Sequence, residues 1–484
     1  MIAHPKYDAI VIGSGPNGLA AAITLAQAGQ SVVLFEARET IGGGCRSMEL
    51  TLPGFMHDVC SAIHPLALDS SFFKSLPLEQ FGLDMIQPPA PLAHPLDDGT
   101  AVMLERSIET TANGLGKDAK AYIQLMAPLV SHWDAIKGSV REPLRPDIAL
   151  HPFVRANFVL KAIRSARSLA KAIFEEERAA AIFAGMSAHS IMALEKSPTA
   201  GTGLLLGILG HAVGWPIPRG GSQKIADALA AYFLSLGGEI ITGMEVKSID
   251  SLPPAKAILC DITPRQLLRI AGDYLPTGYQ WQLRRYRYGA GIFKIDYALD
   301  GPIPWKAKEC LRAGTVHVGG TFSDIAVSER AVSYGEHPER PFVLVAQQSL
   351  FDRGRAPEGK HTAWVYCHVP NGSTFDMTKR IETQIERFAP GFRDRVLAKS
   401  TMNSLEVERY NANYIGGDIN GGVQDLWQFF TRPTIRLNPY TTPAKHIFIC
   451  SSSTPPGGGV HGLCGYFAAH AALRHLQKSE RESP

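Results

Sequence analysis

The chain has 484 residues, of which 45% are hydrophobic and 19% charged, and its formal net charge is only +3. That length allows two domains with a large buried core. The mild charge gives no reason to expect nucleic acid as a partner, and the 16 histidines are too scattered to indicate a metal site. Seven cysteines without a CxxC pair favour reduced thiols in a cytoplasmic protein over a disulfide framework.

The first elements in chain order are a strand, a helix and a second strand. Residues 7–13 form a short apolar run that ends at glycine, residues 16–29 have apolar positions at helical intervals, and residues 31–36 are again strand-like. Connections this short imply two parallel strands joined by a right-handed crossover. The pattern indicates an α/β fold of the Rossmann type.

A glycine-rich turn joins the first strand to the first helix. Gly13, Gly15 and Gly18 have the G-x-G-x-x-G spacing, in which the glycines permit a tight turn, close approach of a pyrophosphate and close helix packing. The helix N-terminus offers free N–H groups to phosphates. Glu36, at the end of the second strand, is placed to accept hydrogen bonds from ribose hydroxyls. We therefore expect an unphosphorylated ADP moiety here, the alternative being a glycine-rich turn that binds nothing.

A second glycine cluster follows within ten residues of Glu36. Gly42, Gly43 and Gly44 precede Arg46, whose guanidinium is suited to oxyanions. A dinucleotide that extends past its pyrophosphate needs such a second wall, whereas a simple nicotinamide dehydrogenase does not. The alternative is a surface loop with a solvated arginine.

The region from about 75 to 210 has mostly helical patterns. Residues Thr202 to Trp215 form its most apolar stretch, too short to span a bilayer, and we interpret it as a buried helix. Residues 153–174 alternate basic and apolar side chains at helical spacing. This stretch is either a solvated amphipathic helix or a peripheral contact with an anionic membrane. Its basic residues are Arg155, Lys161, Arg164, Arg167 and Lys171.

The second half of the chain returns to α/β patterns and then adds a sheet. A helix is predicted over 221–238 and a last helix after the final loop; strands are predicted over 239–246, 255–261, 291–299, 315–320, 342–348, 361–369 and 446–453. We expect residues 1–70, 215–262 and 440–476 to build one discontinuous nucleotide-binding domain. Residues 71–214 and 263–439 would then form a substrate-binding domain with a mixed sheet and a helical insertion.

These motifs resemble the flavin amine oxidase superfamily. The pattern E-x-R-x-x-x-G-G-G-x-R after the first turn is similar to its FAD-binding signature, and residues 52–66, 214–229 and 451–469 resemble its carotenoid (phytoene) desaturase-like branch. One departure is Pro455 where those desaturases typically have histidine, which argues against a long carotenoid substrate. The resemblance implies a cofactor, FAD, held by Gly13, Ser14, Gly15, Pro16, Asn17, Gly18, Glu36, Ala37, Arg38, Gly43, Gly44, Arg46, Val246, Gly458, Gly459 and Val460.

The resemblance also implies a reaction. An FAD-dependent dehydrogenase or desaturase would move a hydride from an apolar or amphipathic small molecule to flavin N5. Because the sequence has no second strand–GxGxxG–helix unit for a nicotinamide, the expected final acceptor is O₂, a quinone or another molecule. Two alternatives are an amine or amino-acid oxidase on the same fold and a non-catalytic lipid-binding protein of the GDP-dissociation-inhibitor type.

Several side chains are candidates for the chemistry around the flavin. His461 is the first choice, because its loop is expected to lie against the ring; His57 and His64 are further histidines in segments near the flavin. Trp215 and Arg219 either face the cavity or pack. Lys294 and Asp296 form either a solvated strand face or a buried pair near the flavin. Aromatic candidates for a pocket, or for plain core, are Trp305, Trp364, Tyr366 and Trp427.

Overall fold

The computed structural model describes residues 7–141 and 152–482, side chains of 139–141 and 479–482 excepted. The strands are β1 (Tyr7–Ile12), β2 (Val32–Phe35), β3 (Ser47–Glu49), β4 (Met56–Asp58), β5 (Met85–Ile86), β6 (Ala90–Pro95), β7 (Ala101–Leu104), β8 (Ile217–Pro218), β9 (Glu239–Ile241), β10 (Ala255–Cys260), β11 (Gly291–Leu299), β12 (Ala313–Val318), β13 (Val343–Ala346), β14 (His361–Val369), β15 (Val396–Met402) and β16 (Ile447–Ile449).

Helices cover most of the remaining ordered chain. They are α1 (Pro16–Gln27), α2 (Pro65–Asp69), α3 (Ser71–Lys74), α4 (Ile108–Asn113), α5 (Ala119–Ser131), α6 (Trp133–Arg141), α7 (Pro152–Ala162), α8 (Ala166–Ile173), α9 (Glu177–Ala188), α10 (Thr199–Ala212), α11 (Gln223–Ser235), α12 (Pro264–Ala271), α13 (Thr277–Arg284), α14 (Phe322–Ser333), α15 (Thr378–Phe388), α16 (Ser404–Tyr410), α17 (Leu426–Thr431) and α18 (Leu463–Glu482).

A five-stranded parallel sheet in the order β16-β10-β1-β2-β9 forms the first layer system. Its strands come from all three segments that the sequence predicts for the nucleotide-binding domain. Both faces are covered, because Ala9 and Val11 pack towards α1, α11 and α18, while Ile10 and Ile12 pack towards α12 and α13. A parallel sheet buried on both sides after a glycine-rich first turn is the predicted Rossmann-type arrangement.

A seven-stranded mixed sheet in the order β15-β11-β14-β13-β12-β6-β7 forms the second layer system. All its neighbours are antiparallel except β12 and β6, which run parallel. One face, with Phe293 and Ile295, packs on α15. The opposite face, with Leu344 and Tyr366, belongs to the core that includes α9 and α10. This second face looks towards the site described below.

The mostly helical region predicted at 75–210 also contains two strands of the mixed sheet, β6 and β7. The sequence pattern missed β6 because Pro91 and Pro95 lie within it, and proline normally argues against a strand in a sheet interior. The strand predicted over 239–246 ends at Ile241, and Gly243 turns the chain with a positive φ of 68°. The buried helix expected at 202–215 is confirmed as α10, which begins at Thr199.

The stretch 153–174 is two helices rather than one. Ser165 ends the continuity, because its hydroxyl accepts a hydrogen bond from the Ser168 amide and begins α8. Arg155, expected on a solvated or membrane face, is buried and donates from Nε to the Ala135 carbonyl at 2.8 Å. No helix in the described ranges has the length and apolar character needed to cross a bilayer.

All seven cysteines lie in the described ranges, and each is free and buried. Burial raises the pKa of the Cys45 and Cys60 thiols to about 12, so both remain protonated at neutral pH. Within the residues that the structure describes, no cluster of three or more histidine, cysteine or acidic side chains could hold a metal ion.

Candidate active site

The glycine-rich turn after β1 presents an open helix N-terminus. Gly13 has a φ of 99°, and a Cβ on Gly18 would lie 1.9 Å from the Gly13 carbonyl oxygen, so neither position tolerates a side chain. Helix α1 begins after Gly15 without a side-chain cap. Its first N–H groups therefore remain available to an anion. Ser14, Pro16 and Asn17 line the same cavity as the turn.

Glu36 lies beside this turn as predicted, but its carboxylate is already engaged by the protein. One oxygen accepts from the Ser14 amide at 3.0 Å and from the Ser14 hydroxyl. The other accepts from the Arg38 amide at 2.9 Å and lies 3.3 Å from Arg46. These bonds fix the carboxylate at the end of β2, where Ala37 and Arg38 also line the cavity.

The second glycine cluster packs against the first. A Cβ on Gly43 would lie 3.1 Å from the Gly15 Cα, and one on Gly44 only 2.1 Å from the Tyr414 hydroxyl. Arg46 is buried, donates to the Thr40 carbonyl at 3.0 Å and stacks over the Tyr410 ring at 5.5 Å. The alternative of a solvated surface loop is therefore wrong. With its pairing to Glu36, Arg46 braces the wall between the two glycine loops.

Asp261 is a residue of this site that the sequence analysis did not select. It follows β10, and its Oδ2 accepts a hydrogen bond from the Gly18 amide at 2.9 Å. A Cβ on Gly15 would lie 2.8 Å from the same oxygen. Burial, with a smaller contribution from Glu36, raises the pKa of this carboxyl to about 7. The signal was an acid directly after a buried strand, where parallel strand ends gather ligands.

These elements line one end of a cavity of about 410 Å³. The other end is formed by the mixed sheet and by α9, α10 and their connections. The described residues that line this second end are uncharged, with aromatic, aliphatic and neutral polar side chains. They include Ile63, Leu66, His189, Ile191, Leu206, Trp215, Thr315, Leu344, Trp364, Tyr366 and Ile419. One cavity therefore joins a polar, phosphate-compatible end to an uncharged end.

Comparisons with known proteins agree with this division. The model of an NAD(P)-binding Rossmann-like domain matches residues 11–72. Pyridine nucleotide-disulfide oxidoreductase domain-containing protein 2 of Rattus norvegicus is 26% identical over 98% of this chain and 94% of its own length. A limonene dehydrogenase polypeptide of Castellaniella defragrans is 22% identical over 97% of this chain and 95% of its own.

The solved structure of putrescine oxidase bound to putrescine superposes with a TM-score of 0.62 at 16% identity, covering 98% of this chain and 99% of that one. A likeness at that identity shows the fold, and the full-length relatives above are oxidoreductases by name. The chain belongs to the flavin amine oxidase superfamily. Its Rossmann-type sheet and its mixed sheet are the two parts of that fold.

In this superfamily member, the other residues expected at the cofactor fall into two groups. Val246, Gly459 and Val460 line the large cavity. Gly458 instead lines a second cavity of about 200 Å³ together with His461, and Leu66 lines both cavities. A Cβ on Gly458 would lie 2.7 Å from the Asn420 carbonyl oxygen, so close backbone packing accounts for that glycine.

The four residues predicted as catalytic are not brought together. His64 and Trp215 line the large cavity. Arg219 does not line it; its side chain is more than half exposed and pairs with Asp84 at 2.6 Å. His461 lies at the second cavity, where Nδ1 accepts from the Leu463 amide at 3.0 Å and Nε2 lies 3.2 Å from the Gly457 carbonyl. These bonds support the start of α18.

His64 has the clearer opening towards the cavity. Its Nε2 lies 2.8 Å from the Ser222 hydroxyl, whereas its Nδ1 has no hydrogen-bond partner. Burial lowers the pKa of this histidine to about 4, so it is neutral at physiological pH. Ser222 begins α11, but its hydroxyl donates to the Ser61 carbonyl at 2.7 Å rather than capping that helix. The expectation of N-capping by this side chain is wrong.

The candidates on β11 are buried rather than solvated. Lys294 and Asp296 are each 1% exposed and form an ion pair, so the solvated-face interpretation is wrong. His57 approaches the same carboxylate at 3.8 Å. Burial, with a smaller contribution from Lys294, lowers the pKa of His57 to about 3, while burial raises the pKa of Asp296 to about 6. None of these three side chains lines the large cavity.

The aromatic candidates also divide. Trp364 and Tyr366 lie on the cavity wall, whereas Trp305 belongs to the core on the far side of the mixed sheet. Trp427 is 69% exposed, on α17. It lies in an exposed apolar patch that we define by Phe153 and Leu160 of α7 and Trp427 and Phe430 of α17. The second cavity lies between these helices.

Proposed function

We propose that the protein is an FAD-dependent oxidoreductase, a dehydrogenase or desaturase, that acts on an apolar or amphipathic small molecule. The observation that carries the proposal is the large cavity with two unlike ends. The polar end has the glycine turn, Glu36 and an uncapped helix N-terminus. The opposite end has an uncharged wall built from the mixed sheet.

The residues at the polar end fit a dinucleotide longer than NAD's ADP half alone. The start of α1 would hold the pyrophosphate, and Glu36 would meet the adenosine ribose. Val246 would contact the adenine, and the second glycine loop would enclose the rest of the chain of the cofactor. Two buried polar atoms here lack a protein partner, Asn17 Oδ1 and His64 Nδ1, which suits a site that a ligand completes. When bound, FAD would supply the acceptor for a hydride.

The uncharged end would bind the substrate and exclude water. Trp215 and Tyr366 are almost fully buried, and Trp215 is fixed by donation from its indole nitrogen to the Leu206 carbonyl at 3.3 Å. Burying apolar substrate against such a wall contributes roughly 25 cal/mol per Å². The absence of a carboxylate among the described residues of this end favours a neutral substrate over an amine cation.

Reoxidation is proposed to use O₂, a quinone or another acceptor, since the sequence offers no second nicotinamide unit. The amine-oxidase alternative predicts turnover of an amine panel with release of peroxide. The alternative of a non-catalytic lipid carrier predicts a colourless protein. Limonene, the compound in the name of one relative, is an uncharged hydrocarbon and is compatible with the leading proposal.

The test is anaerobic reduction of the purified protein by a panel of neutral apolar compounds, charged amines and nicotinamides. Loss of the oxidised flavin band with a neutral compound supports the proposal. Reduction only by amines would replace it with the oxidase alternative, and rapid reduction by NADH or NADPH would overturn the acceptor assignment.

A further inference from the structure

The uncharged end of the large cavity contains a histidine pair that the proposed function does not use. His189 directly follows α9 and lines the cavity, and His317 lies behind it on β12. Their Nε2 atoms are 2.9 Å apart. His317 is fully buried, while His189 is only half-buried. The pair therefore connects the wall of the cavity to the interior of the mixed sheet.

Both rings are neutral at physiological pH. Burial is the main cause that lowers the pKa of His189 to about 3, and burial with the neighbouring histidines lowers the pKa of His317 well below its ordinary value. Two neutral rings that meet through their Nε2 atoms share one hydrogen, so one ring donates and the other accepts. The arrangement has two possible directions, and the remaining contacts decide between them.

The buried nitrogen of His317 sets the direction. Its Nδ1 has no hydrogen-bond partner, and it lies against α9, where a Cβ on Gly185 would be 2.6 Å away. A buried N–H without an acceptor is rarer and more costly than a bare lone pair. We therefore assign the His317 hydrogen to Nε2, which donates to His189 Nε2. A neutral His189 must then carry its own hydrogen on Nδ1.

His189 Nδ1 is the ring nitrogen that the protein leaves unused. Nε2 makes the one hydrogen bond of this side chain to a described residue. Trp364 on the same wall has a buried indole N–H without a partner, and an indole can only donate. Two unpaired donors therefore belong to a wall without any charge.

We propose that this wall is a subsite for the oxygen of a neutral, otherwise apolar ligand, held by donation from His189 Nδ1. The chemical class is a ketone, an aldehyde or an alcohol with a hydrocarbon body. The inference rests on the proposed function in that it names the substrate class of the same cavity. It requires no particular cofactor, because the donors belong to the chain itself.

The experiment compares two ligands of one shape. Cyclodecanone and methylenecyclodecane differ only in whether an oxygen or a methylene group is double-bonded to the ring. Their affinities for the purified protein are measured by quenching of tryptophan fluorescence, because Trp215 and Trp364 line the cavity. The expected result is that the ketone binds roughly threefold to tenfold more tightly, as one neutral hydrogen bond provides.

Three variants assign the preference to its source. His189→Phe keeps an aromatic ring and should abolish the preference for the ketone while retaining affinity for the alkene. His189→Asn, whose amide nitrogen can replace Nδ1, should keep part of the preference. His475→Phe, on α18 away from the cavity, is the control and should change nothing. Equal affinity of the wild-type protein for both ligands, or a preference that survives His189→Phe, overturns the proposal.

Two further readouts keep the outcome decisive. If His189→Phe does not fold, nitrogen-15 NMR of the wild-type histidines replaces it. The ketone should shift a protonated His189 Nδ1 and the alkene should not; an Nδ1 that is bare or insensitive to the ketone refutes the assignment. Flavin content is measured on the same sample. A ketone preference without flavin would refute the proposed function alone, and flavin without the preference would refute this inference alone.

Discussion

Asp261 gives the sharpest prediction, because a carboxyl group is buried where a helix begins. The change is Asp261→Asn, which preserves the shape and leaves an oxygen to accept from the Gly18 amide. In the folded protein the pKa of Asp261 is about 7, against 3.8 for the exposed group. Folded-state pKa is thus raised, and the carboxyl is neutral in the folded chain over a range in which the unfolded chain has released its proton.

The sign follows from this difference. Below about pH 4 both states hold the proton and the carboxyl costs nothing. As the pH rises from about 4 to 7 the unfolded chain ionises first, so the free energy of unfolding falls. The interval from 3.8 to about 7, at about 1.4 kcal/mol per pH unit, gives a loss of about 4 kcal/mol. Asp261→Asn removes this loss and should be more stable than wild type by up to that amount at pH 8.

The assay is urea unfolding of cofactor-free protein between pH 4 and 8, with the difference between variant and wild type as the readout. Using the difference cancels other buried acids, Asp296 among them. Asp273→Asn, an exposed aspartate beyond α12, is the matched control and should give parallel curves. Parallel curves for Asp261→Asn as well would refute the argument that its carboxyl is buried and unpaired.

Three other changes test separate parts of the site. Gly44→Ala should lower the free energy of unfolding by about 1–3 kcal/mol in urea unfolding, because its Cβ would lie 2.1 Å from the Tyr414 hydroxyl, whereas Gly278→Ala, with nothing within 4 Å, should be neutral or better; equal effects would contradict the close packing of the two loops. His461→Ala should cost about 1 kcal/mol of stability through its lost bonds at the start of α18; in stopped-flow reduction, slowing with cofactor still bound would support the predicted catalytic role, and unchanged reduction would remove it. We also propose that the exposed apolar patch contacts anionic membranes, so Phe153→Asp with Leu160→Asp should reduce sedimentation with phosphatidylserine vesicles, while Tyr334→Asp, equally exposed on another surface, should not; no binding by wild type would end this proposal.

The sequence predicted the Rossmann half well because its determinants are local. The alternation of β1, α1 and β2 and the spacing of Gly13, Gly15 and Gly18 depend on residues close together in the chain. Strand β6 was missed because its prolines obey a rule with local exceptions. The break between α7 and α8 depends on one serine that caps a helix.

The chemistry of the cavity was less predictable because it depends on contacts between distant residues. Nothing near His189 in the sequence indicates that His317 lies 2.9 Å away. Asp261 and Gly18 are 243 residues apart in the chain but meet at the carboxyl edge of the parallel sheet. Conversely, His461 looked reactive by its position in a glycine-rich loop, but only the structure gives both ring nitrogens contacts within that loop.

The central claim is that the polar end of the large cavity holds FAD. The most direct measurement is the visible absorbance spectrum of the purified protein, combined with the mass of the compound released by acid. The account predicts a flavin band and FAD at about one per chain, with Glu36→Ala weakening its retention. A colourless protein that takes up no FAD when the cofactor is added would contradict the account.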